Sequence, residues 1–200
     1  MGCMLAAGIL VLLIAQPQQE PAAVGGPAFY EAVVDRLFAS PPRPGSDEVI
    51  LRGIYDPVKP ELQVRMFWPP PGAGVEIELW FLPPNALPIH RQLEELASAS
   101  RALSVDKAVS SISVRRSSLR LAISDPLVVA LRKVFSLVVP LSTDEILTLD
   151  AQVFELTLET GSKTVRLRAG GPDRLPPAVD PLYRWMEETD VVLRRFLASQ

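Results

Sequence analysis

Two short stretches that alternate apolar with polar residues, joined by a loop of prolines and glycines, do most to limit the folds open to this chain. Leu62 to Trp68 sets Leu62, Val64, Met66 and Trp68 against Gln63 and Arg65, and Val75 to Leu82 sets Val75, Ile77, Leu79 and Phe81 against Glu76 and Glu78. A period of two is a strand period, and Pro69-Pro70-Pro71-Gly72-Ala73-Gly74 cannot continue either strand, so the pair predicts an antiparallel hairpin. Pairing Trp68 with Val75, Met66 with Ile77 and Val64 with Leu79 also brings Arg65 opposite Glu78 on the other face. Apolar and charged partners agree on this register, and a slip of one residue would turn every side chain to the wrong face. Phe67 and Trp80 fall on the nominally polar face at opposite ends of the hairpin, which predicts a helix covering that face locally.

The unit recurs. Val109 to Val114 and Leu119 to Ile123 predict a second hairpin, with Arg115-Arg116-Ser117-Ser118 at its tip. Val153 to Glu159 and Thr164 to Arg168 predict a third around Gly161, in which Glu155 lies opposite Arg168 and Thr157 opposite Arg166. Each hairpin precedes a helical pattern: Pro88 to Ala102 with Ile89, Leu93 and Leu96; a helix opened by Asp125-Pro126 with Leu127, Leu131, Val134, Phe135 and Val138; and a last helix opened by Asp180-Pro181. The last one carries the strongest stripe, Leu182, Trp185, Met186, Val192, Leu193, Phe196 and Leu197. An earlier helix, Pro27 to Ser40, sets Phe29, Val33 and Leu37 beside Tyr30, Val34 and Phe38 and stops at Pro41-Pro42-Arg43-Pro44-Gly45. These patterns predict an α+β fold, antiparallel hairpins each followed by an amphipathic helix, with the helices packed on one face of the sheet. A chain of 200 residues buries roughly 70 per cent of its unfolded surface, so residues 27–200 are read as a single α+β domain, any division into two subdomains falling near 103–108.

The start of the chain reads as an address. Met4 to Ala15 is an apolar run without charge, followed by Gln16-Pro17-Gln18-Gln19-Glu20-Pro21. About 12 apolar residues suit a signal-peptide core, whereas a membrane-spanning helix needs about 20. Residues 1–26 are therefore read as a signal peptide with a short linker, and the protein as secreted or periplasmic. Membrane contact would arise only through this segment, if it stays uncleaved. Cys3 precedes the apolar core and Ala6 stands where a myristoylation pattern wants Ser or Thr, so neither lipid signal is met. Removal of the segment leaves a mature chain without cysteine, folding without disulfides in an oxidising compartment.

Residue types with catalytic chemistry are sparse. One His and one Cys cannot build a His/Cys metal site in a single chain. A net charge of -3 speaks against a generally basic nucleic-acid binder. His90, beside Arg91 and one turn before Glu94, reads as a surface imidazole with a helix partner. Adjacent carboxylates at Asp47-Glu48, Glu94-Glu95, Asp144-Glu145 and Glu187-Glu188 point apart, by about 100° where helical, and so do not form a hydrolytic pair. No phosphate loop, dinucleotide fingerprint, zinc-protease helix or nucleophile elbow occurs, so no cofactor is expected. The remaining candidate is a basic patch for an anionic partner: Arg115, Arg116, Ser117, Ser118 and Arg120.

From Ile112 onward, the order of strand, hairpin and helix, then Asp150 leading into Val153-Phe154-Glu155-Leu156-Thr157-Leu158, resembles emfourin-type protein inhibitors of thermolysin-like zinc proteases. Thr164-Val165-Arg166-Leu167-Arg168, a proline-bearing loop and Pro181-Leu182-Tyr183-Arg184-Trp185 are similar to that family's strand and terminal helix. Ser117-Ser118 stand where the family carries a double glycine after a basic strand. The resemblance implies inhibition of a protease through the Arg115 to Ser118 tip. The residues themselves point first to an exported, non-enzymatic binding or structural module of the cell envelope with a protein partner. A protease inhibitor and a carboxylate-dependent hydrolase are the alternatives.

Overall fold

Strand pairing organises the molecule. The computed structural model describes residues 26–41, 47–54, 56, 58–67, 74–100, 102–137, 153–160, 163–170 and 180–199. Its strands are β1 (Glu48–Ile54), β2 (Leu62–Phe67), β3 (Val75–Phe81), β4 (Arg115–Leu121), β5 (Val153–Thr160) and β6 (Lys163–Gly170). They form one six-stranded sheet in the order β4-β3-β2-β1-β5-β6, and every pairing is antiparallel. The helices are α1 (Pro27–Leu37), α2 (Ile89–Ala99), α3 (Val105–Ser111), α4 (Pro126–Arg132) and α5 (Asp180–Ala198). This is an α+β protein. Among the described residues no helix is long and apolar enough to cross a membrane. The apolar run Met4 to Ala15 and the pair Asp144-Glu145 lie outside the described residues.

Two hairpins have the register that their side-chain patterns require. Met66 pairs with Ile77, Val64 with Leu79 and Arg65 with Glu78, while Trp68 lies outside the described residues. In β5 and β6, Leu156 pairs with Leu167, Glu155 with Arg168 and Thr157 with Arg166.

The predicted second hairpin is not there. Val109 to Ser111 belong to α3, and Arg115 to Leu121 pair directly with β3, Ser117 opposite Leu79 and Arg120 opposite Glu76. The alternation of Val109 to Val114 is outweighed by a helical set that includes it: Val105, Ala108, Val109 and Ile112 recur at i, i+3, i+4 and i+7 and pack in one cluster. Ser104 closes the helix start, its hydroxyl accepting from Lys107 N at 3.2 Å. Residues 103–108 thus hold the cap and first turn of α3, with Leu103 and Ala108 buried.

Nor do the helices keep to one face. Strand residues of one parity, such as Leu51, Val64, Ile77 and Leu156, pack with Leu127 and Leu131 of α4 and with Trp185, Met186 and Leu193 of α5. The opposite face is covered at one end, where Ile54, Trp80 and Val153 pack with Phe29, Val33 and Phe38 of α1 and at its C-cap, Ile89 of α2 and Ala108 of α3. The one-face expectation fails because the early helix Pro27–Leu37 and the end-of-strand residues supply a second apolar surface. Trp80, placed by its spacing on the polar face, is buried under that second layer.

Candidate functional site

Among the described residues β4 is an edge strand, hydrogen-bonded only to β3 in the sheet order. It therefore presents one row of backbone N–H and C=O groups without a sheet neighbour. The five residues singled out in the sequence all lie in it, within a strand and not at a projecting tip. The sheet divides them: Arg116, Ser118 and Arg120 stand opposite Trp80, Glu78 and Glu76 on the side covered by α1, while Arg115 and Ser117 share the face that Leu119 and Leu121 turn toward α4 and α5. Arg115, Arg116, Ser118 and Arg120 are exposed, and Ser117 is half-buried. An inhibitor working through a projecting loop would have to use another segment.

The basic side chains are held from beneath. The Arg116 guanidinium carbon lies 6.0 Å from the centroid of the buried Trp80 ring, a cation–π approach that extends the side chain across the sheet. Gly74 leaves room for Arg120, since a Cβ there would stand 2.9 Å from Arg120 Cγ and 3.1 Å from Leu121 O. Among the described residues, no carboxylate forms an ion pair with Arg115, Arg116 or Arg120.

Other charged groups are committed internally, and little in the residue pattern announces them. Arg65 is 1% exposed and lies 4.4 Å over the Phe67 ring. Its Nε donates to Glu48 Oε2 at 2.6 Å, and its Nη1 donates to Pro41 O at 2.7 Å and to the Ser40 hydroxyl. Glu78, its register partner, is farther off at 3.8 Å. Glu48 is the diagonal neighbour on β1, a strand that the sequence patterns did not identify. This buried pair ties the exit of α1 to the sheet.

Glu61 is 1% exposed, with Tyr30 Oη donating to Oε1 at 2.7 Å and Ile89 N donating to Oε2 at 2.7 Å. Pro88 caps α2 without a side-chain acceptor, so this carboxylate takes up one of the free N–H groups of the first turn. Burial pushes its pKa above the ordinary carboxylate value, against the lowering effect of the two donors and of Arg194. Asp190, also buried, accepts from Arg194 Nε at 2.9 Å, and Arg194 reaches Pro60 O at 3.1 Å. Burial lowers the pKa of half-buried His90, with Arg91 adding to the effect. Glu94, the carboxylate that spacing offers to His90, pairs with Arg91 at 3.1 Å.

A cleft of about 330 Å³ opens between the start of α4 and the end of α5. The acid on its wall, Asp125, accepts from Leu127 N at 2.9 Å and so caps α4. Among the described residues no group of three or more His, Cys, Asp or Glu side chains is placed to hold a metal ion. What the described residues offer chemically is an open strand edge flanked by exposed guanidinium groups that have no carboxylate in an ion pair. Compared with protein-family models, with curated proteins and with solved structures, the chain matches none.

Proposed function

We propose that this chain is an exported, non-catalytic protein-binding module of the cell envelope, and that it captures an extended acidic segment of its partner along β4. The observation that carries the reading is the edge position of β4 together with its three exposed arginines. An added strand gains affinity from main-chain hydrogen bonds, and charge on the edge selects its partner. Arginines on both faces also discourage β4 from pairing with β4 of a second copy. The buried carboxylates support a non-catalytic role, because Glu61, Glu48 and Asp190 each serve an internal donor.

The test uses an acetylated, amidated peptide of about seven residues alternating glutamate with threonine, long enough to span β4. Binding should protect β4 amides from hydrogen exchange. Arg116→Ala with Arg120→Ala should weaken it about tenfold or more, with the wild-type affinity falling as salt is raised. N–H groups of an edge strand alternate between the paired and the open side, so one of Ser117 and Ser118 points outward. Proline at the outward position should leave the thermal melt intact and abolish binding. A folded proline variant at that position that still binds at full strength overturns the reading, as does an arginine double variant with wild-type affinity.

A further inference from the structure

We infer that the captured segment carries apolar side chains between its acidic ones, and that one of them seats in the cleft between α4 and α5. The inference rests on the reading of β4 as a capture edge and adds what the second face of the incoming strand must be. A strand added to β4 alternates its side chains in step with the sheet, so every second residue lies on the α4–α5 side. If its acidic residues meet Arg116 and Arg120, the intervening ones must occupy that other side.

That side starts with Arg115 and Ser117 and turns apolar toward the end of β4. Leu119 and Leu121 are half-buried, and they belong to the margin of the same core as Val192, Phe196 and Leu197 of α5. Leu121 is followed by Ala122, by Ile123, which is 48% exposed, and by Ser124 before Asp125 begins the cleft wall. Leu127, Val192 and Phe196 supply the apolar lining, with Asp125, Arg195 and Ser199 completing the wall. Asp125 is already occupied as the cap of α4, whereas Arg195 is exposed and extends the cationic character of β4 to the cleft. A volume of about 330 Å³ stands at the small end of ligand pockets and accommodates an inserted side chain. Arg116 and Arg120 on one face, and a half-exposed core margin beyond Arg115 and Ser117 on the other, therefore select one occupant: an extended protein segment in which acidic and large apolar residues alternate.

The experiment compares two acetylated, amidated peptides by fluorescence anisotropy, one alternating glutamate with threonine and one alternating glutamate with leucine. The leucine peptide should bind about tenfold more tightly, the gain expected from burying one large side chain. Ser199→Trp, at an exposed position on the cleft wall, should fill the space, erase that gain and leave the threonine peptide unaffected. Phe196→Ala should also shrink the gain, with a thermal melt run alongside because Phe196 touches the core. Equal affinity for the two peptides, or a leucine gain that survives Ser199→Trp, overturns the inference while the capture edge stands. Binding of neither peptide removes both.

Discussion

Glu61 shows how one side chain can set a pH dependence. In the folded protein its pKa lies above the ordinary value of 4.5 because burial penalises the charged form. The folded state therefore holds the proton more tightly than the unfolded chain. Between the unfolded and the folded pKa, raising the pH costs stability, and the cost persists above the folded pKa. Glu61→Gln removes this titration and keeps a side chain able to accept from Ile89 N and donate to Tyr30 Oη. Its stability relative to the wild type should rise as pH increases from 4.5 through the folded pKa, measured by denaturant melts across that range. A constant difference between the two proteins would show that Glu61 does not carry this titration. Nothing in the local sequence marks Glu61 for this role. Its two donors come from α1 and α2, and only tertiary packing brings Tyr30 and Ile89 to it.

At the scale of elements, legibility followed the length and purity of the periodic pattern. The stripe of α5 was visible because Leu182, Trp185, Met186 and Leu193 recur at helical spacing, and all are buried. Thr189 and Asp190 lie on the same buried face, polar positions that the apolar pattern alone passes over. Trp185 is 1% exposed and its indole Nε1 donates to Ala130 O at 2.7 Å, which couples α5 to α4. Trp185→Ala should cost about 3 to 5 kcal/mol in a denaturant melt, since it opens a large cavity and removes the indole donor from Ala130 O. A loss below about 1 kcal/mol would mean that α5 is not the lid of this core. By contrast, β1 was invisible: Glu48, Ile50 and Arg52 share one face, and Gly53 interrupts the other, so no clean alternation survives. The candidate site was legible as composition and not as shape. The arginines are legible, but Arg115 to Ser118 read as a hairpin tip instead of strand because a short helix, α3, imitates alternation just ahead of them.

At the scale of the molecule, the described residues form a sheet with α4 and α5 on one face and α1, α2 and α3 over one end of the other, and the proposed capture edge lies at one side of it. If the chain is exported as proposed, the mature protein should begin between Gln16 and Pro27, just ahead of α1. N-terminal sequencing of protein from the envelope or the medium reads this directly, and an intact Met1 in a cytoplasmic pool would refute it. The position of β1 between β2 and β5 also governs the order in which the molecule can be assembled. Glu48 pairs with Glu159, about a hundred residues away, so the central seam closes a long loop and is the kind of contact that slows folding. During synthesis the strands β4, β3, β2 and β1 are complete before β5 exists, which leaves β1 as a temporary outer strand with Val49 and Leu51 on one face. Glu48 and Arg52, alternating along the same strand, then act as gatekeepers against pairing with another nascent chain until β5, from the last quarter of the sequence, arrives to cover it.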